Sequence, residues 1–88
     1  MNAQDRKKIA ALKERFGPVI TELTALQEEF ETLANDEQEK FDNMAEGLQA
    51  SDQGQKIETA AGVLSNISQL LESARDAVDE AWATEVEE

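Results

Sequence analysis

The apolar residues of this chain fall into two long series with helical spacing. Val19, Leu23, Leu26, Phe30, Leu33, Phe41, Met44 and Leu48 advance in short helical steps, with Glu37 at the one polar position the series passes through. Ile57, Ala60, Leu64, Ile67, Leu71, Ala74, Val78 and Ala81 repeat the pattern without interruption. Steps of three and four place side chains on one stripe of an α-helix. A shorter series, Ile9, Leu12 and Phe16, comes first, and Gly17-Pro18 separates it from the rest. Proline suits the first turn of a helix, where its missing N–H has no intrahelical bond to lose. The pattern therefore predicts one helical domain over 1–88: a short basic helix over 3–16, a long helix over 18–46, a turn over 47–51, a second long helix over 52–83 and an acidic tail over 84–88.

The turn has its own signals. Gly47 is expected in the left-handed conformation that ends many helices, and Ser51 followed by Asp52 reads as an N-cap with an acid in the first turn. Leu48 is expected to dip back and close the end of the core. Asn35 with Gln38 is a rival capping-box signal, although the apolar phase runs unbroken from Leu33 to Phe41 and favours a continuous helix. A hairpin turning near residue 50 pairs Met44 with Ile57, Phe41 with Ala60, Leu33 with Ile67, Phe30 with Leu71 and Val19 with Ala81. Ile20, Val63, Leu70 and Trp82 lie beside these seams and widen the stripe beyond what one partner helix covers. The expected fold is thus all-α: a long antiparallel helical hairpin with a short N-terminal helix. Either that helix folds back as a third member or, the favoured reading, a homodimer completes a four-helix-type bundle.

Composition narrows the chemistry. The 88 residues include no cysteine, histidine or tyrosine. Disulfides, thiolate metal sites and the commonest general bases and nucleophiles are thereby excluded. An EF-hand loop starting at Asp42 would need a ligand where Met44 stands, and a two-metal carboxylate site lacks its Glu-x-x-His partner. Ser51, Ser65, Ser68 and Ser73 have no activating base beside them. The expectation is a protein that is not an enzyme and takes no cofactor or metal. No apolar run reaches the roughly 20 residues of a membrane span, and Met1 to Phe16 is charged throughout, unlike a signal peptide, which points to the cytoplasm and away from membranes.

Charge is where the chain becomes specific. Net charge is −12, from 20 acids and 8 bases. Arg6, Lys7, Lys8, Lys13 and Arg15 against Asp5 and Glu14 make the first fifteen residues +3, leaving −15 for the remainder. Such a body repels phosphate, so direct nucleic-acid binding is not expected. The candidate protein-binding residues are Glu28, Glu29, Glu31, Asp36, Glu39, Asp42 and Trp82; Trp82, the only tryptophan, stands on an alanine-rich stretch and reads first as a cap on the end of the core and second as an aromatic anchor. Acids so arranged either solvate a helix or imitate the charge of a nucleic-acid backbone.

The stretch DEQEKFDNMAEGLQ, followed by Ser51, Gly54 and Glu58-Thr59-Ala60, resembles short acidic helical proteins of bacteriophage and prophage genomes. The likeness covers roughly 20–80. In that group the position after the methionine is often proline, where this chain has Ala45, so the first long helix is expected to run slightly further. The resemblance supplies no catalytic residue. It implies a phage-related accessory protein that binds and modulates or inhibits a host protein. The alternative is an assembly protein whose product is the helical bundle itself.

Overall fold

In the computed structural model, which describes residues 1–85, the chain forms α1 (Ala3–Glu14), α2 (Phe16–Asp42), α3 (Glu46–Gln49) and α4 (Asp52–Ala83). Asn2 caps α1, its Oδ1 accepting the N–H of Asp5 at 2.8 Å. Arg15, between α1 and α2, keeps helical angles of φ −72° and ψ −15°, and Pro18 sits in the first turn of α2. Gly17-Pro18 therefore bends the rod without reversing it. α1 does not fold back over the hairpin as a third member, and the molecule measures 68 × 18 × 15 Å. α2 and α4 form the all-α hairpin that the periodicity predicts.

The turn differs from its expected form. α2 ends at Asp42 rather than 46, with Asn43 as its C-cap and the Met44 N–H closing on the Phe41 carbonyl at 3.1 Å. Ala45 is extended at φ −59° and ψ 145°, so alanine in place of proline does not prolong the helix. Residues 46–49 instead form a single turn, α3, which contains Gly47, and no described glycine has positive φ. A left-handed cap is unnecessary because the Gln49 side chain donates to the Phe41 carbonyl at 2.9 Å, satisfying one of the carbonyls that a helix end leaves free. Leu48 does not close the core; it is 57% exposed. Ser51 is the N-cap as expected, its Oγ accepting the Gly54 N–H at 3.2 Å. Across Asn35 and Gln38 the helix is uninterrupted. Of the expected acidic tail, 86–88 lie outside the described residues.

The seam between α2 and α4 is built of small and polar side chains. Its buried residues are Gln27 and Ala34 on α2 and Gly54, Ala61 and Ser68 on α4, each helix repeating in steps of seven. A repeat of seven keeps one narrow line facing a partner helix, and small residues on that line let the two axes approach closely. Gln27 and Ser68 meet across it: Gln27 Nε2 donates to Ser68 Oγ at 3.2 Å, and Ser68 Oγ lies 3.2 Å from the Gln27 carbonyl. Lys13 and Trp82 meet further along, with Nζ 5.9 Å from the ring centre. Both pairs sum to 95, so the register lies five to six residues from the one expected. The shift follows from the earlier turn and brings Ala34 level with Ala61 and Phe41 level with Gly54.

Leu23, Phe30, Ile57, Leu64, Leu71 and Val78 flank this line and are half-buried. No side chain in the described residues is fully enclosed. Leu33, expected in the seam, is 50% exposed, and Val19 is 45% exposed. Both belong to the column one residue before the buried one.

Candidate functional site

In an antiparallel helix pair, residues one position before the seam lie on the same side of both helices, and residues four after it lie on the other. The hairpin consequently has two unlike sides. On one, Gln27, Glu31, Ala34 and Asn35 of α2 and Ser65, Ser68, Gln69 and Glu72 of α4 line a polar groove of ≈ 460 Å³. On the other lie Val19, Leu26 and Leu33 with Ala60, Ile67 and Ala74, flanked by Val63 and Leu70, which are 53% and 61% exposed.

All six candidate carboxylates, Glu28, Glu29, Glu31, Asp36, Glu39 and Asp42, are exposed. By helical phase Glu28, Glu29, Asp36 and Glu39 lie on the part of α2 turned away from α4, while Glu31 and Asp42 flank it, Glu31 at the edge of the polar groove. With Glu22 they make seven exposed acids between residues 22 and 42, and Lys40 is the one base in that span. At the helical rise, that is one carboxylate per roughly 4.5–5 Å of axis, somewhat wider than the phosphate spacing of about 3.4 Å along one nucleic-acid strand. Side-chain bonds within the arc are few. Gln27 Nε2 reaches Glu31 at 3.0 Å and Gln38 Nε2 reaches Asp42 at 3.0 Å. Lys40 binds Glu37 at 2.7 Å, and this hydrogen bond, with the Glu37 charge, raises the Lys40 pKa. That ion pair occupies the polar position in the apolar series, so Glu37 is half-buried and takes no part in the exposed arc.

Trp82 does not join the acids. It lies at the opposite end of the hairpin, half-buried, under the Lys13 ammonium. Lys13 also donates to the Thr84 carbonyl at 2.6 Å. This pairing of the basic head with the end of α4 is invisible to local pattern, since 71 residues separate its members. Nearby, Arg75 binds Asp76 at 3.0 Å; that hydrogen bond, foremost among several acidic neighbours, raises the arginine pKa.

Among the described residues no group of three or more His, Cys, Asp or Glu is arranged to hold a metal ion, and no helix is long and apolar enough to cross a membrane. No buried side-chain nitrogen or oxygen in these residues lacks a hydrogen-bond partner. The two distinctive features of the described surface are a dense anionic arc on α2 and an uncovered apolar side. Neither family models, curated proteins nor solved structures give a match to this chain. The phage-type resemblance gains no support from them and enters below only within a proposal.

Proposed function

We propose that this chain is a non-enzymatic accessory protein of phage type that acts as a homodimer in the host cytoplasm. It binds a host protein through the acidic outer arc of α2 and modulates or inhibits it. The observation that carries this reading is the exposed acidic run from Glu28 to Asp42 on a rigid helix, of which Glu28, Glu31, Glu39 and Asp42 form the working surface. A rigid anionic surface suits a basic groove, and clustered charge steers association and adds specificity. A nucleic-acid-binding protein is accordingly the partner class favoured.

The test is capture from a bacterial lysate on immobilised protein, comparing wild type with the variant Glu28→Gln, Glu31→Gln, Glu39→Gln and Asp42→Asn. The expected result is a basic protein retained by the wild type, released by duplex DNA or by salt rising from about 0.1 to 0.5 M, and not retained by the variant. Retention that neither DNA, salt nor neutralisation alters would overturn the proposal. One observation favours the second reading, an assembly protein: the uncovered apolar side, with Val63 and Leu70 more than half exposed.

A further inference from the structure

We infer that a second copy of the chain covers the apolar side, packed antiparallel with its α1–α2 rod against this one about a two-fold axis at Glu22–Leu23. The inference rests on the homodimer in the reading above and not on its acidic arc.

Two columns on α1–α2 carry it. Leu12, Val19, Leu26 and Leu33 recur in steps of seven, and three of them are 56%, 45% and 50% exposed. Beside them, also in steps of seven, run Lys8, Arg15, Glu22, Glu29 and Asp36, all exposed. The helical backbone at Arg15 and the Lys13–Trp82 contact keep α1 in phase with α2, so the columns continue through the bend.

Both columns complement themselves when reversed, except at Glu22, which meets its own copy. An antiparallel copy brings Leu12 against Leu33, Val19 against Leu26, Lys8 against Asp36 and Arg15 against Glu29, leaving Glu22 at the axis. Two existing surface features then meet. Lys8, Ala11, Leu12 and Arg15 form one patch, and an open groove of ≈ 740 Å³ containing Leu26, Glu29, Phe30 and Leu33 receives it. A parallel copy would set Lys8 and Arg15 against themselves and Glu29 and Asp36 against themselves. Charge therefore selects the antiparallel arrangement, and a two-fold interface repeats each favourable pair.

The second long helix places the axis independently. Under the 27–68 and 13–82 register, residues 22–23 are level with 72–73 on α4. Reversing α4 about that level sets exposed Leu70 beside Ala74, Val63 beside Ala81 and Ile67 beside Ala77, each large side chain against an alanine. The apolar stretch from Ile57 to Ala81 is about 36 Å long at the helical rise. With a width of 18 Å, it projects roughly 650 Å² before side-chain relief is counted, close to the ~800 Å² per partner of a standard interface. Within the dimer Glu29 and Asp36 are paired, while Glu28, Glu31, Glu39 and Asp42 still face outward.

Sedimentation equilibrium and cysteine cross-linking on the full chain test the arrangement; the absence of native cysteine makes the second clean. The wild type is expected to sediment as a dimer. Arg15→Glu and Glu29→Arg, each altering two pairs by symmetry, are expected to raise the dissociation constant about tenfold, and the double variant to restore it. Glu22→Cys is expected to cross-link to itself under mild oxidation. Lys8→Cys is expected not to, because its two copies lie roughly 40 Å apart. A monomer at about 100 μM overturns the inference. So does a dimer in which Lys8→Cys cross-links, Glu22→Cys does not, or the double charge swap fails to rescue. Lysate capture with the four-site neutralised variant, which leaves these pairs intact, reports on the acidic arc separately.

Discussion

Two glycines on the same helix should respond to the same substitution in opposite ways. Gly62 lies mid-α4 with nothing within 4 Å of where a Cβ would stand. Gly62→Ala should stabilise by about 1 kcal/mol, because alanine loses less backbone entropy and suits a helix interior better. Gly54 lies at the third position of α4, under α3. A Cβ there would stand 2.5 Å from the Gln49 carbonyl oxygen and 2.8 Å from its carbon, and would also meet the Leu48 carbonyl oxygen. These are backbone atoms, tied down by the Leu48 and Gln49 N–H bonds to Ala45 at 2.8 and 3.0 Å and by the Gln49 side chain on Phe41, so they cannot swing aside as a flexible side chain would. Relieving the clash means lifting α3, and overpacking of this kind costs about 1–3 kcal/mol. The propensity gain is smaller near a helix start, so Gly54→Ala should be destabilised by up to about 2 kcal/mol. For a chain of this size, 1 kcal/mol moves the melting temperature by about 4–8 °C. The two variants should therefore differ by roughly 10 °C or more, read by circular dichroism at 222 nm and at equal chain concentration, since association also shifts the midpoint. A Gly54→Ala protein that melts at or above wild type would refute close approach of α3 to α4.

The polar pair in the seam makes a second expectation. Ser68→Ala removes a buried partner of the Gln27 amide and should cost about 1–2 kcal/mol in urea denaturation. Adding Gln27→Leu should recover most of that loss, and simple additivity of the two single substitutions would show that they do not act as a pair. At the far end, Lys13→Ala removes the bond to Thr84 and the cation over Trp82, worth about 0.5–1 kcal/mol at an exposed site. Because Trp82 is the only tryptophan, its emission should shift to the red, with faster amide exchange in α1 but not in mid-α2. Unchanged emission and exchange would mean that the contact does not hold α1 to α4.

Local pattern was enough for the helices, because helical periodicity is written in every stretch of seven or eight residues. Val19 to Phe41 and Ile57 to Ala81 were legible as two amphipathic helices, Ser51 as a cap, and Glu28 to Asp42 as an exposed acidic run. The inward-facing column was not. Val19, Leu26 and Leu33 stand one residue before Ile20, Gln27 and Ala34, and both columns fall within one apolar stripe. Hydrophobicity ranks the leucines first. Only the mutual approach of two helices decides otherwise, since Gln27, Ala34, Gly54, Ala61 and Ser68 allow the axes closer than leucines would and the Gln27–Ser68 bonds lock the register. The turn moved for a related reason: the Gln49 side chain satisfies the end of α2 from eight residues away, a tertiary substitute for the left-handed glycine that Gly47 suggests. Sequence alone thus determined the two long helices and the stripe of each that is apolar, but not the break at 43–45 or the short helical turn that follows it. Tertiary packing determined the register, the narrow seam and the leucines left outside it, because those depend on the distance between elements that no local period records.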